Sequence, residues 1–169
     1  MWIKSPLHNR QSGATMIEVM VALFLLAVGL LGTLALQNSS QRSNQSAMFS
    51  SVAIVLARDM ANRINANNNA FSADDDNLYD SVDTDDISGA ATVCTVGCDQ
   101  AAIKTMDTGQ WAEEVKSKLP AGRGTVDIND DGVHEVIVMW DDQLTGASQI
   151  GCGGNPDTDL TCVKLEFRL

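Results

Sequence analysis

Basic residues are scarce in this chain of 169 residues, which carries 11 Lys and Arg against 22 Asp and Glu, a net charge of −11. A protein that binds nucleic acid needs a basic face to neutralise phosphates, so this charge argues against nucleic acid as a partner. The negative charge permits binding of cations or of a basic protein surface instead.

Groups that transfer protons are also few, because the chain has two His and one Tyr. The sequence contains no nucleophile–base pair, no phosphate-binding glycine loop and no C-x-x-C dithiol. These absences indicate a protein that is not an enzyme.

One long apolar run stands out, from Met16 to Leu36, in which Glu18 is the single ionisable side chain. Its 21 residues span roughly 30 Å as a helix, the thickness of a hydrocarbon core. The run is too long for the apolar region of a cleaved secretory signal, and no A-x-A site follows it. It predicts a membrane-spanning helix rather than a buried core helix, which would carry a polar stripe.

The charges are distributed unevenly around this run. Lys4 and Arg10 precede it without any acid before residue 14, which predicts a cytoplasmic N-terminus. Between Asp74 and Asp86 there are seven Asp and no base, which predicts a solvated loop.

Glu18 would carry a free-energy cost within a membrane-spanning helix. A carboxylate at the centre of a bilayer costs about 2.5–3.5 kcal/mol, and less near the interface. The first turn of a helix offsets about 0.3–1 kcal/mol of this through the macrodipole, which does not cover the cost. An interfacial Glu without a role is one interpretation; a carboxylate that awaits a cation from another molecule is the other.

The stretch Gly13-Ala14-Thr15-Met16-Ile17-Glu18 follows a short, polar, basic leader, and it resembles the processing site of type IV prepilins. The resemblance implies cleavage after Gly13 by a prepilin peptidase and N-methylation of Ala14. It also implies that Glu18 pairs with the N-terminal amine of a neighbouring subunit during assembly. A lone buried charge is strongly disfavoured, so such a pair can specify the register of subunits.

The rest of the chain resembles the PilV family of minor pilins, the pilus modification proteins, in "LARDMANRINANNNA" and in "GQWAEEVKSKLPAGRGTV" followed by "VIVMW". The resemblance implies a structural subunit for pilus assembly and initiation in a tip or priming complex, supporting twitching motility and adhesion. Its implied partners are other minor pilins, the major pilin and, as a further candidate, a tip adhesin. A minor pseudopilin of type II secretion shares the N-terminal signal and is one alternative; a membrane-tethered module that binds Ca²⁺ or another ligand is a second.

The resemblance also implies a division of the chain into three parts. Residues 1–13 are the cleaved leader, residues 14–38 the transmembrane and filament-core half of a long helix, and residues 39–169 a periplasmic globular domain. The protein would reside in the inner membrane before assembly and in the extracellular pilus afterwards.

The long helix is expected to continue to about residue 66, where a run of Asn ends it. Its second half has apolar residues at three- and four-residue spacing, which predicts packing on a sheet. These residues are Met48, Val52, Val55, Leu56, Met60 and Ile64.

A second, shorter helix is predicted after residue 100. Asp107 is its candidate N-cap, with Gln110 three residues on as in a capping box. Trp111, Val115 and Leu119 share one face before Pro120 ends the helix.

Three stretches have the apolar and β-branched composition or the alternation of strands: 124–128, 134–140 and 162–169. The sequence therefore predicts an α+β fold, in which a long N-terminal transmembrane helix packs on a C-terminal antiparallel β-sheet. This is the architecture that the resemblance to type IV pilins also implies.

Four cysteines allow three disulfide connectivities. All four follow the apolar run and would lie in an oxidising compartment, opposite the basic leader. We favour the local pairs Cys94–Cys98 and Cys152–Cys162; the spacings are poor for zinc.

The stretch from Asp127 to Glu135 matches D-x-[DN]-x-[DN]-G, the first half of a calcium loop. The bidentate Glu of position twelve is missing, since Val138 stands there, and a plain hairpin turn explains "DDG" as well. No other cofactor is expected. The candidate oxygen ligands belong to Asp127, Asn129, Asp131, Val133 through its carbonyl, and Glu135.

Overall fold

The computed structural model describes residues 15–67, 78–88, 93, 95–155 and 157–169. Their four strands form one antiparallel sheet in which the spatial order of the strands is their order in the sequence, and the α+β prediction is confirmed. The chain divides at Gln41 and Arg42 into two compact units. The elements are α1 (Met16–Asn67), β1 (Val82–Asp83), α2 (Gln100–Lys118), β2 (Arg123–Ile128), β3 (His134–Trp140) and β4 (Thr161–Phe167).

In the second unit, α1 buries one stripe of side chains against the sheet and α2. Leu56, Met60 and Ile64 belong to it, as predicted, but Met48 and Val55 are 62% and 64% exposed. The predicted stripe was wrong at these two positions because other side chains face the neighbouring elements there: Phe49 and Val52 are partly buried against the core, and Ala53 and Ala57 are fully buried. The buried stripe consists of Ala53, Leu56, Ala57, Met60, Ile64 and Asn67.

Trp111 of α2 is the centre of this packing. It is fully buried, and its indole Nε1 donates a hydrogen bond of 3.0 Å to the carbonyl of Leu56 in α1. Its ring lies against Gly124 of β2, where a Cβ atom would come within 2.4 Å of the ring. Gly124 therefore sets how closely α2 approaches the sheet.

Helix α2 begins earlier than predicted. Its N-cap is Asp99, whose carboxylate accepts from the N–H of Ala102 at 2.8 Å, and not Asp107. Nothing between residues 100 and 106 breaks a helix, so the helix extends through the predicted start. Asp107 is buried inside it, where the hydroxyl of Tyr79 donates to its carboxylate at 2.8 Å.

Arg63 joins α1 to α2. Its guanidinium binds Asp59 at 2.7 Å and the side chain of Gln110 at 2.9 Å, and Asp107 and Glu114 each lie 3.5 Å away. Burial alone would lower the pKa of Arg63, but these carboxylates outweigh it and raise the pKa. The same carboxylates compensate the burial of a cation between two helices.

Strand β1 lies in the acidic stretch that was predicted to be a loop. Val82 pairs with Val126 of β2, and Asp83 forms an ion pair with Arg123. The hydroxyl of Thr84 accepts from the N–H of Gly124 at 2.9 Å. A strand of two residues has no periodicity, so the sequence pattern could not indicate it.

The last strand ends two residues before the predicted boundary, at Phe167. As the alternation predicts, Val163, Leu165 and Phe167 pack against the core. On the other face of the sheet, Lys164 binds Glu135 of β3 at 2.6 Å. A smaller apolar cluster lies there as well, formed by Met139, Ala147 and Leu160 with Ile137 and Cys162.

Gly124→Ala should destabilise the folded protein by about 1–3 kcal/mol, because the added methyl group would overlap the ring of Trp111. Urea unfolding of the full chain in detergent, followed by tryptophan fluorescence, measures this. Thr125→Ala, at the neighbouring position of β2, is the control and should cost less. Equal unfolding midpoints for Gly124→Ala and the unchanged protein would show that the close contact is unimportant.

Candidate functional site

The predicted processing junction, Gly13 and Ala14, lies outside the described residues. The first described residue is Thr15, whose carbonyl accepts hydrogen bonds from the N–H groups of Glu18 at 2.9 Å and Val19 at 3.4 Å. Thr15 thus has the N-cap position of α1, and Glu18 lies in the first turn. The carboxylate is close to the positive end of the helix dipole, as expected.

The apolar run that follows is uncovered. Its most hydrophobic window of 18 residues has a mean hydropathy of 2.7, and none of that window is buried. The large apolar side chains between residues 16 and 36 are from 50% exposed at Val19 to 87% exposed at Met16. By length and composition this part of α1 can cross a membrane. Among the described residues nothing covers this run, which argues against the alternative of a helix buried in the core of this chain.

Glu18 has no counter-charge in the part of the chain that the structure describes. Its carboxylate is exposed and forms no ion pair among those residues. The next described basic residue along the chain is Arg42, which is 24 residues away. Wherever apolar groups of a membrane or of another chain cover this turn, a carboxylate without a cation is strongly disfavoured, and a cation from another chain would remove that cost.

The candidate calcium loop forms the hairpin turn between β2 and β3. The side-chain oxygen of Asn129 accepts from the N–H groups of Asp131 at 3.1 Å and Val133 at 2.9 Å. The carbonyl of Val133 accepts from the N–H of Asn129 at 3.1 Å, and Gly132 has a φ of +71° at the tip. Two of the five predicted ligand oxygens are therefore engaged within the turn, and the geometry is that of a plain hairpin.

Negative charge is concentrated beside this turn, at Asp127. It pairs across the strands with Glu135, and Asp80 is held nearby by a 2.9 Å hydrogen bond from the N–H of Ile128. Partial desolvation raises the pKa of Asp127, and the charges of Asp80 and Glu135 raise it further. Over the described residues, no group of three or more His, Cys, Asp and Glu side chains is arranged to hold a metal ion. Calcium binding stays a prediction.

One of the two predicted disulfides is present among the described residues. Cys152 is bonded to Cys162, with a Cα–Cα distance of 5.0 Å, and this bond ties the loop before β4 to the strand. Within that loop, the carboxylate of Asp159 accepts from the N–H of Asn155 at 2.8 Å. Cys98 is also disulfide-bonded; Cys94, its predicted partner, lies outside the described residues.

Sequence reasoning missed the polar surroundings of Arg42, the first described cation after the apolar run. Arg42, Ser43 and Ser46 of α1 line a cavity together with Asp142 and Leu144, which follow β3. The position of an arginine just beyond an apolar run was a signal in the sequence, but its partners from a distant loop were not.

The comparisons with known proteins support the N-terminal signal. Residues 8–34 match the prokaryotic N-terminal methylation motif, which is 27 of the 169 residues. No curated protein and no solved structure matches the chain. The chain thus carries a prepilin signal of the type IV pilin kind, and this supports a subunit of the pilin or pseudopilin type.

Asp127→Asn should raise the free energy of unfolding at pH 7 in the presence of a chelator. A raised pKa in the folded state means that ionised Asp127 costs stability above that pKa. We expect a gain of less than about 1 kcal/mol, because solvent screens an exposed carboxylate, and the gain should vanish as the pH falls below about 3.9.

Melting temperatures of the full chain in detergent measure this gain, with Asp130→Asn, in the exposed turn, as the control of little effect. A lower Tm for Asp127→Asn in chelator would contradict the prediction.

The same assay tests the predicted calcium loop. If the loop binds calcium, millimolar Ca²⁺ raises the Tm of the unchanged protein and leaves the Tm of Asp127→Asn unchanged. No shift in the Tm of the unchanged protein would eliminate the site.

Proposed function

We propose that this chain is a minor pilin, a structural subunit that assembles into a type IV pilus and does no catalysis. The observation that carries the proposal is the N-terminal arrangement as a whole. A prepilin signal at residues 8–34 stands in register with Glu18 in the first turn of α1, ahead of an apolar run that the described chain leaves uncovered.

Processing is the first step. A prepilin peptidase cleaves after Gly13 and leaves a chain of 169 − 13 = 156 residues, and N-methylation then modifies Ala14. Before assembly, the apolar run holds the processed subunit in the inner membrane with residues 39–169 in the periplasm. The disulfide between Cys152 and Cys162 is consistent with that oxidising compartment.

Assembly moves the apolar run from lipid to the core of the filament. The runs of neighbouring subunits pack together there, so the exposed side chains of residues 16–36 become buried. The carboxylate of Glu18 receives the N-terminal amine of a neighbouring subunit. An unpaired carboxylate in that core would be strongly disfavoured, so the pair selects one axial register over the others.

The finer assignment is to the PilV family, with a place in the tip or priming complex and a contribution to twitching motility and adhesion. Its partners are other minor pilins, the major pilin and a tip adhesin. The stretches that support this are "LARDMANRINANNNA", which begins at Leu56 within α1, and the segment from Gly109 to Val126, which contains Trp111 and Gly124. The ring of Trp111 lies against Gly124, where a Cβ atom would come within 2.4 Å of it.

A minor pseudopilin of type II secretion is the alternative within the same class, because both kinds of subunit carry the N-terminal signal. The two differ in where the processed protein is found. A pilus subunit leaves the cell surface with sheared filaments, whereas a pseudopilin stays with the envelope.

The test is the intact mass and N-terminal sequence of the protein from membranes and from sheared pili. We expect a chain that begins at Ala14, carries the mass of one added methyl group, and occurs in both fractions. A Gly13→Val variant is the control and should keep Met1 and stay out of the sheared fraction.

Each other outcome has a definite consequence. A chain that begins at Met1, or within residues 33–40, would overturn the pilin proposal. Correct processing with complete absence from sheared filaments would favour the pseudopilin.

A further inference from the structure

A cavity of about 390 Å³ lies in the second unit, between the turns of α1 that begin at Arg42 and the loop that follows β3. This volume is near the lower end of the range for small-ligand sites, so it suits a small polar group. Its lining includes Arg42, Ser43 and Ser46 of α1, and Asp142, Gln143 and Leu144 of the loop.

The cavity presents one cation and one anion that do not neutralise each other. Within the described ranges, Arg42 forms no ion pair and no side-chain hydrogen bond. One oxygen of Asp142 accepts from the indole Nε1 of Trp140 at 3.0 Å, and no described donor reaches the other oxygen. The site thus offers opposite charges at separate positions, with hydroxyl and amide groups between them.

A second cavity of about 290 Å³ contains cations that are already committed. There, the Nζ of Lys116 donates to the carbonyl of Thr84 at 2.6 Å, and Arg123 is paired with Asp83 and Asp85. Of these two cavities, the one at Arg42 therefore has the charged groups that are available to bind a ligand.

The loop on one side of the cavity is fixed in an unusual conformation. Leu144 is 64% exposed and has a φ of +55°, a region that leucine rarely adopts. The carboxylate of Asp141 holds it there by accepting from the N–H groups of Gly146 at 2.7 Å and Thr145 at 3.1 Å. An apolar side chain thereby lies exposed in the lining of a polar cavity.

The length of the chain limits how far Arg42 can lie from the end of the apolar run. Arg42 follows Leu36, the last residue of the apolar run, by six residues. Six residues of helix rise about 9 Å, and even an extended chain of that length reaches only about 20 Å. The head-group layer of one leaflet is about 5–7 Å thick, and a helical side chain leans back towards the N-terminus, so the rise along α1 permits the guanidinium to reach the lipid phosphates.

We infer that this cavity binds the zwitterionic head group of a phosphatidylethanolamine. The guanidinium of Arg42 binds the phosphate, the free oxygen of Asp142 accepts from the primary ammonium, and Leu144 contacts the apolar part of the lipid below the head group. This binding stabilises the membrane-held subunit relative to the filament, where no lipid head group is present. The inference rests on the membrane anchorage in the proposed function.

The test uses the full chain, purified in detergent and incubated with equal amounts of phosphatidylethanolamine, phosphatidylglycerol and phosphatidylcholine. Native mass spectrometry then counts the lipids retained per protein. We expect a preference for phosphatidylethanolamine, because phosphatidylglycerol has no ammonium and the quaternary ammonium of phosphatidylcholine has no N–H to donate. Arg42→Gln should reduce its retention about tenfold or more, since a charged hydrogen-bond partner is lost.

Two further variants define the result. Arg58→Gln, at an exposed arginine of the same helix that does not line the cavity, should retain lipid like the unchanged protein. Asp142→Asn keeps an acceptor for Trp140, so it should stay folded, but it should lose the preference for phosphatidylethanolamine over phosphatidylglycerol.

Equal retention by Arg42→Gln and Arg58→Gln, or no head-group preference in the unchanged protein, would overturn the inference. The assay involves no filament, so such a failure would leave the pilin proposal standing. Conversely, a processed protein that is absent from sheared filaments would overturn the pilus role without changing the lipid result.

Discussion

The helix between Met16 and Leu36 exposes apolar side chains on every side, and the need to cover that surface governs the rest of the molecule. A bilayer covers it without any specific contact, whereas a bundle of similar apolar helices covers it only in particular registers. Glu18 increases the difference in free energy between these two environments. An unpaired carboxylate is tolerated near the lipid interface, whereas it is strongly disfavoured within a dry bundle. One acidic side chain can therefore make assembly depend on a cation from a neighbour.

In the second unit, the same helix is covered on one side by the rest of the chain. From Ala53 to Asn67 it buries a single stripe, and the contact of Trp111 with Leu56 and Gly124 holds it, α2 and the sheet together. Polar groups between the helices are satisfied by one another around Arg63. A rigid unit of this kind can carry loops whose conformation is fixed, as Asp141 fixes the loop at the Arg42 cavity.

Features that depend on local pattern could be predicted from the sequence. The apolar run, the strong strands, the buried face of Trp111 and the Cys152–Cys162 disulfide each follow from composition or spacing. Features that depend on long-range contact could not. Asp107 has the local pattern of an N-cap, but the donor from Tyr79 lets it lie buried inside α2. The cavity at Arg42 is formed by residues about 100 positions apart, and no periodicity in either segment connects them.

Assembly through Glu18 depends on the negative charge of its side chain, and replacing the carboxylate with an amide of the same shape tests this dependence most directly. Cells that carry Glu18→Gln would be compared with cells that carry the unchanged chain, by measuring the N-terminus in membranes and the amount of protein in sheared filaments. We expect normal cleavage after Gly13, normal membrane content and loss from the filaments for Glu18→Gln, with partial incorporation for Glu18→Asp. Incorporation of Glu18→Gln at the level of the unchanged chain would contradict it, because register would then not depend on the carboxylate.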